Sequence, residues 1–113
     1  MRKLILIAAV AAVAAAAAVP TMTALASTPT KSVSVKDNFF SPKTVTIRRG
    51  TRVTWVWHSF GILHNVTVNS GPSKFRSGNK GGGTYSHLFT KKGTYHLICT
   101  LHPTQMKETI IVR

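Results

Sequence analysis

From Ser27 onward, apolar and polar residues alternate over short runs, and no helical period appears. Ser32 to Lys36 sets Val33 and Val35 on one face, and Thr44 to Arg48 does the same with Val45 and Ile47. Arg49-Gly50 turns the chain into Thr51 to Trp57, and His64 to Asn69 alternates through Val66 and Val68. Thr84 to Phe89, Gly93 to Cys99 and Glu108 to Val112 complete seven short strands. Val, Thr, Ile and aromatic residues dominate, the composition of a pleated, half-buried surface. The pattern predicts an all-β fold, a sandwich of two antiparallel sheets. Trp55 and Trp57 read as one core and one surface residue of a single strand. Ser70-Gly71-Pro72 opens a long polar connection, and Gly81-Gly82-Gly83 within it reads as a flexible loop. That run lacks the strand, helix and Lys-Ser/Thr context of a phosphate cradle.

The pattern before Ser27 is of another kind. Arg2 and Lys3 precede an unbroken apolar run from Leu4 to Val19, Pro20 breaks it, and Ala24-Leu25-Ala26 offers a small-x-small cleavage site. The run falls short of the roughly 20 residues of a comfortable membrane span. Every alanine of the chain lies before Ser27. The expected organisation is a secretory signal peptide over 1–26, a short linker over 27–32 and one folded domain over 33–113. An uncleaved N-terminal anchor is the alternative. Either way the domain works outside the cytoplasm.

Charge and cysteine count narrow the chemistry. The chain has 15 Lys and Arg against 2 acids, Asp37 and Glu108, for a formal charge of +13. Loss of Arg2 and Lys3 with the signal leaves +11. Paired-carboxylate hydrolysis and a hard-cation oxygen cage are both poorly served by two distant acids. A single cysteine, Cys99, excludes an intramolecular disulfide, so a small exported domain must rely on core packing or a metal. Outside the cytoplasm a free thiol oxidises unless it is buried or metal-bound.

Soft and borderline ligands converge near the C-terminus. Cys99 ends a predicted strand, and His102 and Met106 follow in the connection to the next. A thiolate, an imidazole and a thioether aimed at one point suit copper. One more nitrogen completes a trigonal His₂Cys plane with a weak axial Met, and His64, at the start of another strand, is its best source. Zinc is the rival metal, but its structural sites rarely take a thioether. A Cys-His nucleophile lacks a third, orienting group. His87 and His96 read as structural strand residues, while His58 is a lesser candidate ligand.

These residues resemble the cupredoxin family, the small blue-copper proteins related to plastocyanin, amicyanin and azurin. The likeness runs from about Val33 to Val112. Phe40-Ser41-Pro42 with Val45 and Ile47, then Gly50-Thr51-Arg52-Val53-Thr54-Trp55, is similar to the opening strands; His64-Asn65-Val66-Thr67 is similar to the first ligand segment. Gly93-Thr94-Tyr95 running into Cys99, His102-Pro103 and Met106 resembles the ligand loop. The resemblance implies a Greek-key β-sandwich holding one copper ion through His64, Cys99, His102 and Met106, with Asn65 bracing the ligand loops near Thr100. It implies one-electron Cu(I)/Cu(II) transfer between larger redox proteins, not an enzyme.

His102 to Met106 is one residue longer than the His-Pro-x-Met of short-loop members, so Gln105 competes with Met106 as the axial group. Glu108 stands where Gly is often found, and His58 stands before His64 where a polar amide is common. The expected function is a monomeric, exported electron shuttle. Its outer His102 edge would be ringed by Leu101, Pro103, Ile62 and Leu63. The alternative is an extracytoplasmic copper carrier that does not cycle, and a metal-free interaction module is a third reading. The basic charge is spread along the domain and fits acidic redox partners or an anionic envelope surface, not nucleic acid.

Overall fold

The computed structural model describes residues 27–113; the expected signal over 1–26 lies outside them. Eight strands form, β1 (Thr30–Lys36), β2 (Phe39–Ser41), β3 (Thr44–Ile47), β4 (Thr51–Trp57), β5 (Thr67–Ser70), β6 (Thr84–Phe89), β7 (Gly93–Ile98) and β8 (Lys107–Val112). They build two four-stranded sheets, ordered β2-β1-β4-β6 and β3-β8-β7-β5. Val33 and Val35 of β1, Val45 and Ile47 of β3, Val53 of β4, and Ile110 and Val112 of β8 point inward between the sheets, as their alternation requires. Trp55 lies at the centre, its ring centroid 6.0 Å from those of both Phe75 and Tyr85 and 6.4 Å from that of Phe89.

Four features depart from the expectation. β2 is an additional strand, too short to show an alternation of its own, and it pairs with β1 through Val35↔Phe40. β1 starts at Thr30, opposite Arg52, inside the segment read as linker. The sheets are mixed, because β1 runs parallel to β4 and β3 parallel to β8. Each step from β2 to β7 changes sheet, so apart from the consecutive pairs β1–β2 and β7–β8, strands that meet in one sheet have a strand of the other between them in sequence. Alternation reports which face a residue occupies, not the direction of its neighbour. Finally, Trp55 and Trp57 are both buried. Two residues apart on one strand, they share a face, and the core lies on it.

The polar connection after β5 is not a free loop. It runs back along residues 64–68, with Val68 N–H donating to Phe75 O, Ser77 N–H to Val66 O, and His64 and Lys80 exchanging both backbone bonds at 3.0 Å. At Gly81 a side chain would collide, since an added Cβ would stand 2.6 Å from the carbonyl oxygen of Gly61. Glycine lets this connection press against the turn before His64.

Candidate metal centre

Three connections meet at one end of the sandwich: the β1–β2 turn (37–38), the β4–β5 segment (58–66) and the β7–β8 loop (99–106). Cys99 and His102 belong to the last. Its two ends are tied by Cys99 N–H donating to Met106 O at 3.1 Å, and its interior closes as turns, with His102 N–H on Cys99 O at 3.0 Å and Met106 N–H on His102 O at 2.9 Å. His64 arrives from the middle segment, fixed by its paired bonds to Lys80 and by Trp57 Nε1–H donating to its carbonyl at 3.2 Å. It precedes β5 instead of starting it, because its backbone pairs with Lys80 and β5 pairs with β7 only from Thr67 onward.

Cys99 Sγ lies 3.8 Å from Nδ1 of His64 and 3.8 Å from Nδ1 of His102. All three donor atoms fall within 4.8 Å of one another. A borderline ion bound at about 2.3 Å from sulfur and 2.0–2.1 Å from nitrogen, with ligands 120° apart, separates S from N by about 3.8 Å. The donor set and both S–N separations therefore fit ligation of one such ion. His64 and Cys99 are fully buried and His102 is half-buried. Burial chiefly, and the neighbouring His102 next, hold the His64 pKa below 6.5, while Asp37 pulls the other way. The imidazole is then neutral at neutral pH, the form a metal requires.

The surroundings fix these groups. Asn65 N–H points at Cys99 Sγ from 3.4 Å. The Asn65 side chain spans three segments: Nδ2 donates to Thr100 Oγ1 and Asn79 Oδ1, both at 2.8 Å, while Oδ1 accepts from Thr100 N–H at 3.1 Å and Thr67 Oγ1 at 2.7 Å. The brace to Thr100 agrees with what the family resemblance implies; the role of Asn79 carries no sequence signal, since it lies in the polar connection.

The remaining candidates separate by burial. The Met106 side chain is fully buried in the core cluster. Gln105 is exposed, and its Oε1 accepts from Asn38 Nδ2 at 3.0 Å. His58 and His96 are exposed on the surface. His87 stacks on Phe75 with ring centroids 3.8 Å apart. Among the described residues, His64, Cys99 and His102 form the sole cluster able to hold a metal.

Sequence reasoning missed the placement of Glu108. It is buried against the core, with one oxygen accepting from Trp55 Nε1–H at 2.8 Å and the other without a hydrogen-bond partner. Burial raises its pKa to about 8 despite the Trp55 hydrogen bond, so the carboxyl is neutral at pH 7. Its place on the inward face of β8, in register with buried Leu97, was legible from the alternation with Ile110 and Val112.

Residues 28–113 match the family model described as copper binding proteins, plastocyanin/azurin family. Amicyanin-alpha of Methylorubrum extorquens is 36% identical over 98 residues, covering 80% of this chain and 80% of the relative. Plastocyanin of Scenedesmus fuscus is 36% identical over 85 residues, 66% of this chain and 86% of the relative. Among solved structures, a mutant of amicyanin in its Cu(I) form superposes with a TM-score of 0.65 at 25% identity, covering 79% of this chain and 86% of that one. A copper-containing nitrite reductase from Thermus scotoductus gives 0.70 at 34% identity over 82% of this chain, which spans only 24% of the reductase.

Proposed function

The chain belongs to the plastocyanin/azurin family of copper-binding proteins, and from that premise we propose that it is an exported shuttle for single electrons, holding one copper ion through His64, Cys99, His102 and Met106. The observation that carries this reading is the pair of 3.8 Å Sγ–Nδ1 separations in a buried, braced cluster. Bound copper would supply the one-electron Cu(I)/Cu(II) couple. The chain's own residues keep the ligand positions fixed between the two states: Asn65 locks the two ligand segments together, and the β7–β8 loop is closed on itself by Cys99 and Met106. Little then has to move as the electron passes.

His102 turns Nδ1 toward the sulfur and is half-buried, so its outer edge is the route for the electron. Ile62, Leu63 and Leu101 are exposed and offer a partner an apolar contact. We read the protein as a monomer, with export resting on the signal expected over 1–26; a mature protein still beginning at Met1 would make that segment a membrane anchor in place of a cleaved signal.

Met106 supports the axial role better than Gln105, because it is buried while Gln105 is engaged by Asn38. Met106→Leu is expected to keep the colour and raise the reduction potential, by roughly 60 mV for each tenfold loss of Cu(II) affinity relative to Cu(I). If Gln105→Leu moves the potential and Met106→Leu does not, Gln105 is the axial group.

Stopped-flow reduction and reoxidation, with copper assayed after many cycles, tests the shuttle. Copper is expected to stay bound throughout. Electron transfer to acidic redox proteins should slow, and binding to an anionic envelope surface should weaken, as salt rises, since screening acts over roughly 10 Å at 0.1 M. Copper lost to an acceptor in the first turnovers would leave the carrier reading in its place.

A further inference from the structure

The chain has two carboxylates among its 113 residues, and one of them sits at a buried histidine of the metal cluster. Asp37 Oδ1 lies 3.3 Å from His64 Nε2. His64 is fully buried and Asp37 is 46% exposed. The contact is a charge contact and not a formed hydrogen bond, and Nε2 has no hydrogen-bond partner among the described residues. Asp37 is held in place by its neighbour: Asn38 Nδ2 donates to Gln105 Oε1 at 3.0 Å, which ties the β1–β2 turn to the loop carrying Cys99 and His102.

A neutral imidazole carries one proton, on either nitrogen, and the site gives it two competing acceptors. On Nδ1 the proton would lie toward Cys99 Sγ at 3.8 Å; on Nε2 it would lie beside the Asp37 carboxylate, whose oxygen is 3.3 Å from that nitrogen. Only the second tautomer leaves the Nδ1 lone pair free to bind a metal. A carboxylate attracts the proton more strongly than a thiol sulfur at longer range. We propose that Asp37 is the positioning residue of the centre: it holds the His64 proton on Nε2, presents Nδ1 in ligating form, and biases the site toward the more highly charged metal state. The first part concerns the protein alone; the last rests on the copper reading above.

The two parts are tested separately on Asp37→Ala and Asp37→Asn. In the metal-free protein, ¹⁵N shifts of the His64 ring should report the Nε2–H tautomer in the unmodified chain. They should move toward a mixture in Asp37→Ala and stay nearer the original in Asp37→Asn, whose amide oxygen still accepts. With copper bound, Cu(II) affinity should fall roughly tenfold or more relative to Cu(I) in Asp37→Ala, within the 10–100-fold range for groups that orient a ligand, so the potential rises. Asp37→Asn should show a smaller rise, because it keeps the acceptor and loses the charge. Unchanged ¹⁵N shifts in Asp37→Ala would overturn the proposal whatever the metal result. A shifted tautomer in a protein that takes no copper would sustain the positioning role and remove the copper reading instead.

Discussion

Cys99→Ser is expected to abolish the intense visible absorption of the copper-loaded protein. A serine hydroxyl does not ionise near neutral pH, so the soft anionic ligand that produces thiolate-to-copper charge transfer is gone. Copper affinity should fall by more than the roughly 10–100-fold that loss of a supporting group costs. The fold should survive. Ser is close to Cys in size, its oxygen can take up the Asn65 N–H that now faces Sγ, and the metal-free protein should lose only about 1 kcal/mol. The measurements are a visible spectrum, a copper titration and chemical denaturation of the metal-free chain. A colourless variant that is also unfolded would leave the ligand role open, and for that case His102→Ala, at a half-buried position, gives the independent check.

Glu108→Gln is expected to change stability most strongly at alkaline pH. The Glu108 carboxyl has a folded pKa of about 8 against 4.5 for the free group. Between those values the folded chain binds more protons than the unfolded one, so stability falls as pH rises. The contribution is whole below pH 4.5 and lost once the pH passes about 8, with a total on the order of 5 kcal/mol. Gln keeps an acceptor for Trp55 Nε1–H and carries no titratable group, so the loss between pH 5 and 9 should flatten. His64 and His87 act in the opposite sense: both have lowered pKa values, from burial first, and their contribution is present above 6.5 and lost as pH falls through the folded values. Denaturation of the metal-free protein across pH 5–9 should therefore show Glu108→Gln converging with the unmodified chain in acid and exceeding it in base. Parallel curves would show that Glu108 does not ionise on unfolding in this range.

Much of this architecture is legible in the sequence because a sandwich writes its inside face into alternate residues. Thr51–Trp57 and Thr84–Phe89 fall where alternation puts them. The same rule, applied strictly, places Trp55 and Trp57 together, and the expectation that split them neglected it. What alternation cannot carry is long-range partnership. Nothing local in Thr30–Lys36 tells that β1 runs parallel to β4, or that residues 71–83 return to pair with residues 64–68. His64, Cys99 and His102 could be chosen by ligand chemistry and spacing, since few residue types bind soft metals and the domain has one cysteine. Asp37 could not be attached to His64 in that way. It is a carboxylate in a turn far upstream, and only the pairing of β1 with β2 and β4 brings it to the imidazole.

Anaerobic titration of the purified metal-free protein with Cu(II), followed by its visible spectrum, tests the central claim most directly. One equivalent of copper should develop an intense absorption that saturates at a 1:1 ratio, bleaches on reduction and returns on reoxidation with the metal still bound. A spectrum without the intense thiolate band, or saturation at a ratio other than one copper per chain, would contradict a mononuclear centre built on Cys99 with His64 and His102.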